Sequence, residues 1–555
     1  MDAASKSPVL SPKDKAVLTG NQAILRGALE SSVSVISSYP GGPVTNILEE
    51  AAKISSELGL YVEWSTNEKV ALEVGIGASL AGQRALVAFK DVGLNAAYDT
   101  FMAASRAGCR GGLVLIVGHN GLTSPDMQDC RYSVEMANLL ALDPADPQEA
   151  KDMTVTAFEL SERFELPVVI MPSSHICYGT GEVELGELKK SGSEPSFLRD
   201  KSSYKYISVG PTVTERLSWL HRRLIEMEEE AQRLKFNDLY LTESDFGIIV
   251  AGHLYNSVTE CLRELGLDGK TSILKLGSIH PLPTDKILHF LSHVRRALIL
   301  EELEPYLESR ILSLIGASNL SVKIDGKLTG AVPIAGFRKM NASLIKNIIA
   351  DSLALPLSEL VKEETSKLSL CPGCLHRNAL YAVKEAVKEL GEDDCIITGD
   401  QGCSLLLALQ PERILDTEYH MGSSIGVAHG LVKGGIKVPV IAAIGDSAFF
   451  HNGVSALINA VYNDGNITVL VLDNSITAMT GLNPNPSSGV RADGTKAKII
   501  KIEDVARGCG VEFVRVVDPR NKAEMIDALK EAIKFKGVSV VVARGPCIKA
   551  LEKKG

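Results

Sequence analysis

The stretch Val438-Pro-Val-Ile-Ala-Ala-Ile444 is an almost unbroken apolar run that stops at Gly445-Asp446-Ser447. A second run, Ile467-Thr-Val-Leu-Val-Leu472, stops at Asp473-Asn474. Short apolar runs bounded by such residues read as strands buried on both faces. Between them Val454 to Tyr462 reads as a helix. A strand–helix–strand unit of this length gives two parallel strands whose C-terminal ends share one sheet edge, the edge where open α/β sheets take their ligands. Asp446 and Asn474, 28 positions apart, are therefore expected to meet there. A carboxylate and an amide carbonyl form a hard-oxygen pair that suits magnesium, whose octahedron is completed by phosphate oxygens, water or a backbone carbonyl. Gly445 lets the backbone approach a phosphate, and Gly402, Gly422 and Gly426 offer other loops the same approach. Each piece alone is a capped turn or a loop start; their joint spacing after two buried strands points to a diphosphate held through a metal ion.

Outward from this unit, the whole chain alternates. Helical spacing over Asn21 to Ser31 and Ala71 to Ala81 is interleaved with strands at Val33 to Ser37, Ala85 to Phe89, Gly112 to Gly118 and Leu166 to Met171. Lys189 to Tyr206 is polar and serine-rich and reads as a surface loop, followed by a charged helix over Val213 to Leu234. A further α/β unit begins at Phe246, with strands at Ser272 to Gly277 and Arg296 to Glu301. From Cys371 onward a helix over Leu375 to Leu390 and strands at Cys395 to Thr398, Val511 to Val516 and Val538 to Ala543 complete an α/β segment. This is an α/β chain with parallel sheets covered on both faces.

With 555 residues, two to four domains are expected. A formal charge of −10 without basic clusters argues against nucleic acid as the main partner. No apolar run reaches the length of a membrane span, and the first residues carry no signal-peptide pattern, so a cytoplasmic protein is expected. The ten cysteines are then not disulfide partners. Cys109, Cys130, Cys177, Cys261, Cys395 and Cys509 stand isolated and read as small buried apolar side chains. Cys371 and Cys374 form a Cys-x-x-Cys pair, which suits a cluster, zinc or a redox disulfide.

The Gly-Asp and Asp-Asn pair, at this spacing, matches the thiamine-diphosphate motif, with Ser447 in place of its second glycine and Asp473 in place of its first asparagine. Further matches are Cys371-Pro-Gly-Cys374-Leu-His376-Arg377, Gly399-Asp-Gln-Gly-Cys403, His420-Met-Gly-Ser-Ser-Ile-Gly426 and Thr477-Ala-Met-Thr-Gly481. Tyr39-Pro40-Gly41, Trp64-Ser-Thr-Asn-Glu68, Ile76 to Gly82 and Leu276 to Pro283 extend them. Together they resemble the large subunit of the indolepyruvate ferredoxin oxidoreductase family, in the 2-oxoacid:ferredoxin oxidoreductase superfamily, over nearly the whole chain.

The resemblance implies two thiamine-diphosphate-binding-type parallel-sheet domains with a transketolase-C-terminal-like α/β domain between them. Residues 12–235 would be the pyrimidine-binding-type domain with its helical connector and 236–336 the middle domain. Residues 337–370 would be a linker, and 371–555 the diphosphate-binding domain with cluster cysteines. It implies that Glu68 bonds the aminopyrimidine ring of the cofactor, where a carboxyl group promotes the imino tautomer; from the residues alone Glu68 reads as a surface helix position. It implies that Asp446, Asn474 and the carbonyl of Ile476 bind magnesium, with Gly402, Gly422, Gly445 and Ser447 around the diphosphate. Cys371, Cys374, Cys403 and Cys547 would bind one [4Fe–4S] cluster, with zinc or free thiols as the alternatives. His420 and His451 are candidates for proton handling or phosphate contact, or are structural histidines; Arg131 is a further candidate for the substrate carboxylate.

The implied activity is oxidative decarboxylation of a 2-oxoacid, with aryl pyruvates as the default, to an acyl-CoA, with coenzyme A as co-substrate and electrons passing to ferredoxin. Two departures bear on it. Gly42, Val44 and Thr45 stand where the family usually has Thr-Pro-Ser-Ser after Tyr-Pro-Gly, so the hydroxyl beside the substrate carboxylate is missing. The chain also ends soon after Cys547, without the family's ferredoxin-like domain. A separate ferredoxin or ferredoxin-like subunit, the small subunit and a dimer of such heteromers are the expected partners. A non-oxidative thiamine-diphosphate lyase and a catalytically silent scaffold subunit are the competing readings.

Overall fold

Alternation of strand and helix in the first half builds a seven-stranded sheet. Its order is Ser278–His280, Leu140–Leu142, Val168–Ile170, Leu113–Gly118, Ala85–Lys90, Val35–Ser38 and Tyr61–Trp64. Every neighbouring pair is parallel except the first. That edge strand, Ser278–His280, comes from the middle of the sequence and pairs antiparallel with Leu140–Leu142. A second sheet runs Lys323–Asp325, Arg296–Leu300, Phe246–Ala251 and Ser272–Leu276 in parallel, with Leu239–Tyr240 antiparallel at its edge. Both sheets fall in one compact unit of this computed structural model, Met1–Glu363; Glu364–Gly555 form the other. The described residues are 7–120, 128–189, 194–198, 205–207, 210, 212–318, 320–333, 340–357, 369–392 and 394–553.

One boundary differs from the periodicity in a way that matters. The helix expected from Ala71 starts three residues earlier, as Glu68–Leu80, because the Asn67 side chain caps it by accepting from the Val70 N–H at 2.9 Å. Glu68 thereby becomes the first helical residue. Within the segment 337–370 the structure has a helix, Ala342–Ser352, capped by Asn341; residues 337–339 and 358–368 lie outside the described residues. So do 190–193 and 199–204 of the serine-rich stretch.

The second unit is a five-stranded, wholly parallel sheet in the order Ile396–Thr398, Val440–Gly445, Thr468–Asp473, Ser539–Arg544 and Phe513–Val517. The helix Leu375–Glu389 buries Ala379, Leu380, Val383 and Val387 in one core with Met525 and Leu529 of the helix Lys522–Lys534. A separate core on Ile425, Ala428, Leu457 and Ile502 covers the other sheet face. Burying each such Leu, Ile, Val or Met side chain contributes about 1.5–3 kcal/mol, so the helices hold the sheet from both sides. The pairing runs from Ile441 opposite Thr468 to Gly445 opposite Leu472, which brings Asp446 and Asp473-Asn474 out at one edge. Among the described residues, no helix is long and apolar enough to cross a membrane.

Candidate functional site

Asp446 opens a short helix directly after its strand and is buried. One of its oxygens accepts from the Ser447 N–H at 2.7 Å and the other from the Ile476 N–H at 3.1 Å. That same Ile476 N–H donates to the Asn474 carbonyl oxygen at 3.1 Å, so the two side-chain oxygens meet at one point. The Asn474 amide nitrogen lies 3.4 Å from His376 Nε2, which keeps the Asn474 oxygen facing Asp446. Burial lowers His376 to about 4, leaving a neutral ring able to accept that bond. Among the described residues the Ile476 carbonyl accepts no hydrogen bond, so its oxygen remains available to a metal.

The neighbouring acid has another task. Asp473 is bonded at 2.6 Å by Arg544, which also pairs with Glu503. Its charge is thus balanced inside the protein, and its other oxygen accepts from Ser475. Among the described residues Asp446 pairs with no cation. Burial, then the charge of Asp473, raises it well above the usual carboxylate range. A buried carboxylate that lacks a counter-charge, set beside an amide oxygen, fits magnesium. A side chain added at Gly445 or Gly402 would enter open space, the room a diphosphate needs. Ser447 is tied to Thr477 at 2.6 Å and to Asn485 at 3.1 Å.

The loop His420 to Ser424 is pinned from below by Asp400, which accepts from the Gly422 N–H at 2.6 Å and from both Ser424 donors. Gly422 has φ +91, and a Cβ there would lie 2.5 Å from Asn452, so glycine is required. Burial pushes Asp400 up to about 7 from 3.8. Between those values the folded chain holds a proton the unfolded chain has lost, so this group's contribution to stability falls as pH rises through the window. Asp400→Asn is expected to flatten that part of the pH profile, read as melting temperature of the cofactor-free chain between pH 4 and 8. An unchanged profile would remove Asp400 as its source.

His420 is exposed, bonded through its backbone N–H to Ser423; among the described residues it makes no bond to Asp446, Asn474 or Ile476. His451 is buried in a π-helical turn, Phe449–Gly453, a local distortion that often marks a functional segment.

Four cysteines gather in this unit. Cys403 is pushed up to about 12 by burial and then by Cys374, Cys547 and Cys371, with Asp446 next. Cys403 therefore lies within electrostatic reach of the other three thiols and of Asp446. The His376 and Arg377 N–H groups face the Cys374 sulfur. Zinc, at about 2.3 Å from each sulfur, would hold the four within about 4 Å of one another. Among the described residues no three of them close to within 4.8 Å. Four thiols are the donor set of a [4Fe–4S] cluster and equally of zinc. Cys395 and Cys509 pack separately against the two cores.

In the first unit Glu68 is buried, at 7% exposure, and not on the surface as its sequence context alone suggests. A Cβ on Gly93 would lie 2.6 Å from its carboxylate, so that glycine makes the cradle. Beside Gly42, an added Cβ would meet the Tyr178 hydroxyl at 3.2 Å. A hydroxyl is thus present next to the position that lacks threonine. Arg131 does not have the expected freedom to bind substrate. Its guanidinium is taken up by Asp129, by Glu301 at 2.8 Å and by the Glu302 and Glu304 carbonyls at 2.8 Å.

Sequence reading gave no role to His376 or Asp400, which it saw only within motifs, nor to Asn485 or the pairing of Arg544 with Asp473 and Glu503. His376 had a signal, two positions after the Cys-x-x-Cys pair; Asn485 and Arg544 had none, because their partners lie far along the chain.

Parallel sheets with an oxygen-ligand site of this kind define an α/β enzyme built on thiamine-diphosphate-binding domains. The family described as "Pyruvate flavodoxin/ferredoxin oxidoreductase, thiamine diP-bdg" matches residues 26–233. "Thiamine pyrophosphate enzyme, C-terminal TPP binding domain" matches residues 400–543. The chain is 38% identical to indolepyruvate oxidoreductase subunit IorA of Pyrococcus horikoshii over 97% of its length and 86% of that protein. It is 37% identical to the subunit of the same name from Archaeoglobus fulgidus, over 96% and 86%. Ketoisovalerate oxidoreductase subunit VorA of Pyrococcus horikoshii is 25% identical over 52% of the chain and 80% of that protein. The chain belongs to the indolepyruvate oxidoreductase IorA family of 2-oxoacid oxidoreductases.

Proposed function

We propose that the chain is the thiamine-diphosphate subunit of an enzyme that oxidatively decarboxylates a 2-oxoacid, an aryl pyruvate such as indolepyruvate, to an acyl-CoA. Electrons would leave by one [4Fe–4S] cluster to ferredoxin. The observation that carries this reading is the position of Cys403, within electrostatic reach of the three other thiols and of Asp446 alike. A non-oxidative lyase has no use for an electron acceptor beside its cofactor.

Bound thiamine diphosphate supplies a nucleophilic carbon and then an electron sink for the carbon that loses CO₂, and a cluster supplies a one-electron acceptor. Asp446, the Asn474 oxygen and the Ile476 carbonyl would hold magnesium against the diphosphate, with Gly402, Gly422, Gly445 and Ser447 around it. Glu68 would hold a proton at the pyrimidine nitrogen. Buried His451 and exposed His420 are the candidates for moving protons or touching phosphate. Cys371, Cys374, Cys403 and Cys547 would hold the cluster, and coenzyme A would take the acyl group. The relatives are named as subunits, which supports a small subunit and a ferredoxin or ferredoxin-like protein as partners, in a dimer of heteromers.

The test is dye reduction by the anaerobically purified complex, with indolepyruvate, phenylpyruvate, pyruvate and 2-oxoglutarate, each with and without coenzyme A. Indolepyruvate-dependent viologen reduction is expected. So is an EPR signal after dithionite reduction that disappears in Cys403→Ser. A colourless, EPR-silent protein with stoichiometric zinc, releasing aldehyde without reducing dye, would establish the lyase instead.

A further inference from the structure

In the first unit, loops that follow strands of both sheets bring together metal-binding side chains that the thiamine site does not use. His119 follows the strand Leu113–Gly118, and His175 lies in the short helix Ser174–Tyr178 beyond Val168–Ile170. His253 comes two residues after Phe246–Ala251, and Glu302 two after Arg296–Leu300. Each of these strands is a parallel member of its sheet, so His119, His253 and Glu302 sit at C-terminal strand ends and His175 on the helix that follows one. One ligand atom each from His175, His253 and Glu302 lies within 4.8 Å of the others. His253 Nε2 is 3.6 Å from one Glu302 oxygen, and His119 Nδ1 is 3.7 Å from the other. The His175 and His253 rings are parallel, with centroids 4.4 Å apart.

Two observations mark this as a built site. First, His253 Nε2, His119 Nδ1 and Glu302 Oε2 are buried yet have no hydrogen-bond partner among the described residues, although His253 is only 9% exposed. Buried polar atoms are nearly always paired, and the orphaned His253 Nε2, which faces a Glu302 oxygen, calls for a ligand. Second, the backbone is held for the purpose. Arg131 grips the Glu302 and Glu304 carbonyls and so fixes the loop from which the Glu302 side chain projects. Gly252 has φ +58, and a Cβ there would lie 2.4 Å from the Asp143 carboxylate; only glycine allows the turn that delivers His253.

We propose that His175, His253 and Glu302 bind a divalent transition-metal ion of the zinc type, with His119 donating to the outer oxygen of Glu302. Two imidazoles and one carboxylate are a borderline donor set that favours such ions over magnesium, which seeks oxygen alone. Tetrahedral zinc needs its ligand atoms about 3.4 Å apart, and the His253–Glu302 pair stands at 3.6 Å without movement. His175 is exposed, so it gives the ion a way in and can turn to close the triad. The His119–carboxylate contact is the outer support that such sites use to orient a ligand. An ion here would fasten the loops of the two sheets to each other.

The experiment is zinc titration of the full chain beside His175→Ala and Glu302→Gln, with bound metal counted per chain and excess magnesium present throughout. The full chain is expected to bind one zinc more than either variant, or to bind it at least ~10-fold more tightly. X-ray absorption of that extra zinc is expected to contain nitrogen and oxygen without sulfur. Equal stoichiometry and affinity in all three proteins would overturn the proposal, as would sulfur around the extra zinc, which would put it at the cysteines. Unchanged circular dichroism and thiamine diphosphate binding in the variants show that they are folded. His175 is on the surface, so its variant keeps the test meaningful even if Glu302→Gln were to unfold.

Discussion

Asp446→Ala is expected to lose thiamine diphosphate binding, by more than about 100-fold in affinity measured calorimetrically with magnesium present. Even groups that only support a metal ligand cost about 10–100-fold when removed, and Asp446 would be the one charged ligand at the site. Asn474 and the Ile476 carbonyl are neutral, and the Asp473 charge is already spent on Arg544. Nothing nearby can substitute. The same change is expected to leave the cofactor-free chain as stable as before, or more so. Asp446 is buried beside Asp473 with its ionised form disfavoured, and removing it relieves that repulsion at neutral pH. Weak binding with an undiminished melting temperature is therefore the signature of a site that sacrifices stability for a ligand. Binding within a few-fold of the unaltered chain would sink the metal assignment.

Glu68→Gln is expected to reduce turnover about 10²–10⁴-fold, the range for a positioned proton-transfer group, while thiamine diphosphate still binds. Glutamine has the length and shape to occupy the space that Gly93 leaves, so packing is kept and only proton exchange at the pyrimidine nitrogen is lost. The position also suits a carboxylate, since Glu68 opens the helix Glu68–Leu80 and feels its N-terminal dipole. The decisive comparison sets calorimetric affinity against dye-reduction rate. Turnover within a few-fold of the unaltered enzyme would take Glu68 out of the chemistry, and a parallel collapse of binding would make it structural.

Some of this was written in local pattern. Uninterrupted apolar runs ending at Gly445 and Leu472 specify buried parallel strands, and strand–helix–strand connectivity then specifies that Asp446 and Asn474 share an edge. Residues 371–374 likewise announce a ligand pair by spacing alone. Periodicity and turn chemistry act over a few residues, so a single sequence carries them openly.

The tertiary structure decided the rest, because those properties depend on groups distant in sequence that only packing can join. Glu68 lies in a charged, polar stretch and is buried only because Gly93 leaves room for it. Asp473 resembles a ligand until Arg544 and Glu503 close on it. Arg131 offers a free guanidinium until the Glu301–Glu304 loop takes up its donors. Cys403, which without the resemblance reads as an ordinary lone cysteine, comes within reach of the other three thiols because its loop follows a strand of the same sheet. The orphaned atoms of His119, His253 and Glu302 belong to three strand ends of two sheets. Burial and pairing are properties of the assembled core, and no short window of residues contains them.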